Sequence, residues 1–173
     1  MRRRARVLLT VPLVGVLVGV LAATTSPATA AVEVVKDPTA KLTAPYVNSP
    51  TDAVINVTLT QTSYANISLD VALAGFRAQR SFDYRKGECP TSVARVILPA
   101  KVTVTECGWE QEGDNATLRI ALKGTLTDGA VKVRIKSGAL TAPAAAGVYG
   151  IFVSSWAFDE VSTTTQIASG PLK

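Results

Sequence analysis

The stretch CPTSVARVILPAKVTVTEC, residues Cys89–Cys107, places two β-rich runs between two cysteines. The runs Val93–Leu98 and Val102–Thr105 meet at Pro99-Ala100-Lys101, which indicates a turn. The chain has two cysteines in all. If they pair, the segment is a stapled unit, and closing a loop of this size stabilises a fold by roughly 3 kcal/mol. The alternative is two buried free thiols.

The first thirty residues have the pattern of an export signal. Arginines at positions 2, 3, 4 and 6 precede the apolar run Val7–Ala23, and Ala28-Thr29-Ala30 is a small-residue cleavage site. We therefore expect residues 1–30 to be a signal peptide and the protein to be secreted. The alternative is an uncleaved anchor, because the apolar run is at the short limit of what spans a bilayer. Export to an oxidising compartment favours the disulfide over free thiols.

Loss of this signal changes the net charge. The full chain has a formal charge of +5, and four of its 18 basic residues lie in the signal. The remaining 143 residues carry 14 basic and 13 acidic groups, a net charge of +1. We therefore expect no nucleic acid partner, no membrane partner after cleavage, and instead a protein or glycan partner outside the cell.

The rest of the chain predicts an all-β fold. Apolar and polar residues alternate with period two, as in half-buried strands. The clearest runs are Ile67–Leu73, Ala116–Lys123 and Ala130–Lys136. Asp128-Gly129 indicates a hairpin turn before the last run. Residues 75–90 fit a bulged strand or one short helix, and the Thr-rich Val161–Ala168 fits a last edge strand.

Strand spacing predicts the architecture. About seven to nine short strands, separated by turn residues, indicate an antiparallel β-sandwich. Residues 31–52 contain three prolines and are expected to form an N-terminal strand and extended arm, followed by a sandwich domain over residues 53–173. The two cysteines lie 18 positions apart, too close for the inter-sheet disulfide of antibody domains.

One longer run resembles a known kind of module. VKVRIKSGALTAPAAAGVYGIFV, Val131–Val153, is similar to secreted and cell-surface immunoglobulin-like modules of bacteria, in which an alternating strand precedes a loop of small residues and proline. A Gly-x-Tyr sequence, here Gly147-Val148-Tyr149, then opens the next strand. The alanine-rich signal headed by arginines resembles those of actinobacteria. The resemblance implies an extracellular immunoglobulin-like β-sandwich and carries over no catalytic residue.

The residue types argue against an enzyme. The chain has no histidine, which excludes a Ser-His-Asp triad, a Cys-His pair and a His-ligated zinc site. Phosphate-binding glycine motifs are absent, so we expect no cofactor and no metal. A carboxylate pair or a Ser-Lys pair remains open, although carboxylate-pair enzymes are generally larger and have a deep cleft.

Trp109 and Trp156 are the candidate binding residues. Trp109 lies in a polar, acidic segment and Trp156 just beyond a predicted strand, so among the aromatic residues these two are the best candidates for exposure and for stacking on a sugar. Packing at the edge of the core is the favoured interpretation for both.

The acidic residues around Cys107 have three interpretations. They are Glu106, Glu110, Glu112 and Asp114. Clustered carboxylates suit calcium, although the spacing does not match an EF-hand. The second interpretation is a solvated hairpin loop. The third is a set of ion pairs with Arg85 and Lys86 across the Cys89–Cys107 bond, each contributing about 0–1 kcal/mol.

The sequence therefore predicts a secreted, non-enzymatic binding or structural module. The alternatives are a carbohydrate-binding module that uses Trp109 or Trp156, and a protease inhibitor that presents the stapled segment or the loop Ser137–Gly147. A sugar binder needs exposed aromatic side chains, an inhibitor needs a convex rigid loop, and a structural module would show an open sheet edge or an apolar patch.

Overall fold

The computed structural model describes residues 35–60, 66–124, 128–157 and 161–173, with the backbone alone for residues 66, 156–157 and 161–163. These residues form twelve strands and no helix. The strands are β1 Val35–Leu42, β2 Ala53–Leu59, β3 Asn66–Ala74, β4 Arg77–Ala78, β5 Phe82–Lys86, β6 Ala94–Ile97, β7 Thr103–Glu112, β8 Asn115–Lys123, β9 Gly129–Ile135, β10 Leu140–Thr141, β11 Gly147–Ala157 and β12 Val161–Leu172. In this part of the chain no helix is long and apolar enough to cross a membrane.

The strands form an immunoglobulin-like sandwich, as predicted. One sheet has the order β1-β2-β9-β6 and the other β12-β11-β3-β8-β7-β5, and all pairs are antiparallel. The first order matches strands A-B-E-D of an immunoglobulin domain, and β12-β11-β3 matches G-F-C. The hairpin β7–β8 is inserted between the counterparts of D and E and widens the second sheet. A two-stranded ladder joins β4 to β10.

The period-two pattern correctly predicts the core. Inward side chains of β3, β8 and β9 are at most 2% exposed. They are Ile67, Leu69, Val71, Leu73, Leu118, Ile120, Leu122, Val131, Val133 and Ile135. The first seven belong to the six-stranded sheet and the last three to the four-stranded sheet, and all ten belong to one hydrophobic cluster. Burial between two sheets is what makes each strand keep one apolar face.

The segment before residue 53 contributes a strand to the sandwich. β1 is an edge strand of the four-stranded sheet, and its ends are anchored by the buried side chains of Val35 and Leu42. Its pairing with β2 is irregular between Lys36 and Thr39, where Pro38 lies. The predicted division at residue 53 thus falls between two paired strands.

Two predicted turns connect different sheets instead of paired strands. Asp128 does adopt a positive φ of 45°, but β8 and β9 on either side belong to opposite sheets, so the predicted hairpin is wrong. The runs that meet at Pro99-Ala100-Lys101 become β6 and β7, which also lie in opposite sheets. Turn residues favour a reversal of the chain but do not specify the strand with which the next one pairs.

Residues 75–90 form strands, with no helix among them. β4 pairs with β10, and β5 pairs with β7 at the edge of the six-stranded sheet. The pairing of β5 is irregular between Phe82 and Arg85, so the bulged-strand interpretation is correct and the helix is wrong. The Thr-rich β12 forms the opposite edge of the same sheet.

Candidate functional site

The stapled segment crosses from one sheet to the other. Cys89 and Cys107 form a disulfide with a Cα–Cα distance of 5.2 Å, as predicted. Cys107 lies in β7, opposite Arg85 of β5. Cys89 lies on the connection from β5 to β6, where the chain leaves the six-stranded sheet for the four-stranded one. The bond therefore fixes the start of this crossing.

A cleft of about 540 Å³ lies along this crossing. Apart from Lys136, every residue that lines it falls within positions 88–104. The apolar lining consists of Cys89, Ala94, Val96, Leu98, Val102 and Val104. The polar lining consists of Glu88, Thr91, Arg95, Thr103 and Lys136. The lining is therefore mixed, with polar and charged groups beside the apolar ones, and the volume lies in the range of ligand-binding clefts.

Strand β6 is the edge of its sheet beside this cleft. The backbone N–H of Lys136 donates to the carbonyl of Val93 at 2.8 Å. This bond shows which residue pairs of the β6–β9 ladder are hydrogen-bonded: Val93 with Lys136 and, two residues on, Arg95 with Arg134. In an antiparallel ladder, alternate residues direct both backbone groups away from the partner strand. The backbone N–H and C=O of Arg95 therefore bond to β9. The N–H and C=O of Val96 and the C=O of Ala94 point away from β9, toward the open edge of the sheet.

The cleft carries an excess of positive charge. Arg95 is exposed and Lys136 is half-buried, whereas Glu88 is the one acid among the lining residues that the structure places there. Arg95 also lies directly opposite Arg134 in the β6–β9 ladder. Because like charges opposed in this way repel, an anionic group near Arg95 would be favoured.

Trp109 is buried, so the favoured interpretation of core packing is correct for it and its candidacy as an exposed binding residue is wrong. Its side chain is 0% exposed, and its indole N–H donates to the carbonyl of Gln79 at 2.9 Å. The polar segment around it is not a loop: β7 extends to Glu112, and Trp109 shares the inward face with Cys107, two residues earlier. A disulfide-bonded cysteine followed by tryptophan at period two was the signal that could have identified it as core.

Trp156 has a defined place in the backbone. It lies in β11, opposite Ser68 of β3 and Ser162 of β12. Its side chain lies outside the described part of the structure, so its role as a binding residue stays a prediction.

The acidic stretch belongs to a hairpin that joins two strands. β7 and β8 are connected by Gly113 and Asp114, and Gly113 has a positive φ of 55°. Arg119 of β8 forms ion pairs with Asp70 at 3.8 Å, with Glu110 at 3.6 Å and with Glu112. Sequence reasoning missed Arg119 because its partners come from both neighbouring strands.

The predicted proximity of bases and acids across the staple is correct for Lys86, which lies opposite Glu106 in the β5–β7 ladder. Arg85 instead stacks its guanidinium over the ring of Phe82 at 4.3 Å. Over the described ranges, no group of three or more acidic, cysteine or histidine side chains is arranged to hold a metal ion.

Tyr84 covers the outer surface of β7 at Gly108. A Cβ on Gly108 would lie 3.0 Å from the Tyr84 ring and 3.1 Å from its Cα, so glycine is needed for this close approach. Burial, and then the charges of Glu106 and Asp70, raise the pKa of Tyr84 above its ordinary value, so its hydroxyl stays protonated at neutral pH.

The loop Ser137–Gly147 is buried in its middle part, whereas Ala144, Ala145 and Ala146 are exposed. Its carbonyls accept backbone hydrogen bonds from three separate segments: Ala139 from Gln79 at 2.6 Å, Leu140 from Thr51 at 3.0 Å, and Pro143 from Asn48 at 3.0 Å. These bonds attach the buried part of the loop to the rest of the fold, and an inhibitory role for the exposed part stays a prediction.

Comparison with known proteins assigns no family. No family model matches the chain, and no curated protein matches it. Among solved structures, it is similar to ACE19, the collagen binding subdomain of the Enterococcus faecalis surface protein ACE, with 8% identity and a TM-score of 0.39. That match covers 82% of this chain and 97% of the other. A likeness at this level assigns neither a partner nor an activity to this chain.

Proposed function

We propose that this protein is an exported, non-enzymatic binding module that holds an extended segment of a partner protein against the open edge of β6. The observation that carries the proposal is the coincidence of this edge with the cleft. An extended peptide gains affinity from main-chain hydrogen bonds to a sheet edge and specificity from pockets for alternate side chains. The outward backbone groups of Val96 and the apolar lining of the cleft offer both at one place.

The charges of the cleft indicate the side chains of the partner. An apolar residue would enter between Val96, Leu98 and Val104, and an acidic residue beside it would face Arg95 and Lys136. The disulfide supports this arrangement because it fixes the chain immediately before β6. A rigid edge reduces the conformational entropy that binding would otherwise cost.

Two features of the chain support the proposal that the protein is not an enzyme. The chain has no histidine, and its two cysteines are bonded to each other. The burial of Trp109 also removes one of the two aromatic residues on which a carbohydrate-binding role depended. Export itself rests on the signal-like residues 1–30.

The test is selection of short linear peptides from a displayed library on the oxidised protein, followed by affinity measurement on two variants. Leu98→Glu places a charge in the cleft, whereas Val148→Glu places the same charge on β11, in the other sheet, at a residue that is 63% exposed and does not line the cleft. We expect selected peptides to combine an apolar and an acidic residue. Leu98→Glu should weaken them by about tenfold or more, about 1.4 kcal/mol.

The matched control decides the site. Val148→Glu should bind the selected peptides within about threefold of the unmodified protein, which is about 0.6 kcal/mol. If no peptide is enriched, or if both variants bind equally well, the cleft is not the binding site. Circular dichroism of both variants checks that the fold is retained.

A further inference from the structure

Positive charge is concentrated on the four-stranded sheet. Its strands carry five cations, all exposed: Lys36, Lys41, Arg95, Lys132 and Arg134. The same strands carry one acid, Asp37, whereas all other described residues together carry nine cations and nine acids. The excess positive charge of the described chain therefore lies on this sheet.

The ladder places these cations in rows across its outer face. Lys41 lies opposite Val54, Val54 opposite Arg134, and Arg134 opposite Arg95, so one row crosses all four strands. With strands about 4.8 Å apart, this row spans roughly 14 Å. The next row contains Lys132, with Asn56 on one side and Ile97 on the other.

Most of this charge has no acid beside it on the sheet. Asp52 accepts two hydrogen bonds from Arg134, at 3.0 Å from Nε and 2.6 Å from Nη2. Burial raises the pKa of Asp52, but the hydrogen bonds from Arg134 and from Ser137 outweigh it, so the pKa is lowered overall. This pair neutralises one cation of the five, and the repulsion among the others would be relieved by a bound polyanion.

The groups between the cations point to a sugar rather than a peptide. Thr39 and Asn56 lie in the second row, and the Asn56 amide donates to the Thr39 hydroxyl at 3.2 Å. The backbone groups within this sheet are already paired, so an extended peptide would gain no main-chain hydrogen bonds on its face. Hydroxyl and amide groups interspersed with lysine charges suit the hydroxyls and anionic groups of a glycan.

We propose that the outer face of the four-stranded sheet binds a linear anionic polysaccharide. Lys41 on β1, Lys132 on β9 and Arg95 on β6 pair with its anionic groups. The side chains of Thr39 and Asn56 between them contact its hydroxyls. This surface shares Arg95 with the cleft, but Lys41 and Lys132 do not line the cleft, so the proposal stands without the peptide site.

The test measures binding of dextran sulfate to the intact protein, with unsulfated dextran and polyglutamate as comparison polymers. Dextran sulfate should bind, with an affinity that falls as salt rises because exposed charges are screened. Unsulfated dextran should not bind detectably, and polyglutamate should bind at least about tenfold more weakly. Absence of dextran sulfate binding, or equal binding of polyglutamate, would overturn the proposal.

Matched charge reversals locate the site. Lys41→Glu/Lys132→Glu removes two cations from this face, whereas Lys86→Glu/Lys123→Glu makes the same change in net charge at exposed positions of the six-stranded sheet. The first variant should bind dextran sulfate about tenfold or more weakly, and the second within about threefold. Equal losses would mean a response to net charge alone and would refute this surface. Lys41→Gln/Lys132→Gln gives a milder version if the reversal unfolds the protein.

Discussion

The two edge strands of the four-stranded sheet, β1 and β6, differ in whether another part of the chain covers them. On one side β1 lies against β12, and two backbone hydrogen bonds join the segments that flank these strands: the N–H of Lys173 donates to the carbonyl of Pro45 at 2.8 Å, and the N–H of Val47 donates to the carbonyl of Lys173 at 3.0 Å. On the other side β6 borders the cleft and directs backbone groups into it. The first side is closed by the chain itself, and the second is open.

Protection against unwanted pairing follows the same division. β1 contains Pro38 within an irregular stretch of its ladder, and β12 contains Gly170-Pro171 near its end. Prolines and bulges are common devices against edge-to-edge association. The four residues of β6 contain neither, although Pro90 and Pro99 flank the strand. Its short length and the charge of Arg95 are what discourage association with another sheet there, and they leave room for a short peptide segment.

The largest expected loss of stability comes from Trp109→Ala on the open side. Removing a fully buried tryptophan leaves a cavity and an unpaired carbonyl at Gln79, so we expect the free energy of unfolding to fall by about 3–5 kcal/mol. Urea denaturation measures it, with Ile97→Ala as an exposed control. A loss below about 1 kcal/mol would instead indicate a surface tryptophan.

Removal of the disulfide should come next. Cys89→Ser/Cys107→Ser should lower the free energy of unfolding by about 3 kcal/mol. Hydrogen exchange should then increase chiefly in residues 87–98, which the bond ties to β7, and less in β1 and β12. An increase spread equally over both sides would contradict a role confined to the open side.

A substitution on the closed side, Leu172→Ala, is the comparison for removal of the disulfide on the open side. Leu172→Ala removes a side chain that is 3% exposed and should lower the free energy of unfolding by about 2 kcal/mol or more. Hydrogen exchange should increase at Val47, whose N–H bonds to Lys173, and remain unchanged at Val96. Peptide binding at the cleft should be unaffected, whereas its loss would show that the two sides are coupled.

Asp52→Asn has the smallest expected effect and depends on pH. Because the folded-state pKa of Asp52 is lowered, its contribution is present above the unfolded value, near 3.8, and is lost as pH falls through the folded value. Arg134 is 47% exposed, so the contribution is at most about 1 kcal/mol. Unfolding between pH 7 and pH 2 should show this acid-dependent loss in the unmodified protein and a smaller one in the variant. Identical profiles would contradict the ion pair.

Local patterns predicted the fold well because they record which side of a strand is buried. The alternation of Ile67–Leu73 and Ala130–Lys136 and the cysteine pair all led to correct structure. The pairing of β8 and β9 was predicted wrongly because Asp128-Gly129 specifies a turn and not a partner strand. Sandwich topology depends on contacts far apart in sequence, which no local pattern contains.

The candidate site was harder to predict than the fold. The stapled segment was identified correctly, but the cleft arises only because β6 and β7 separate into opposite sheets. Trp109 was a candidate for exposure because its neighbours are acidic, but two of these acids, Glu110 and Glu112, face Arg119 on the outer side of the same strand. Charge around a residue does not show which way its own side chain points.

The most direct measurement compares Val96→Pro with Arg95→Pro for binding of the selected peptides. Proline at position 96 removes an N–H that points to the open side, so the fold should keep its stability while peptide affinity falls about tenfold or more. Proline at position 95 removes a bond to β9 and should destabilise the fold by about 3 kcal/mol. If Val96→Pro is stable and binds peptides with unchanged affinity, the edge of β6 is not the binding strand.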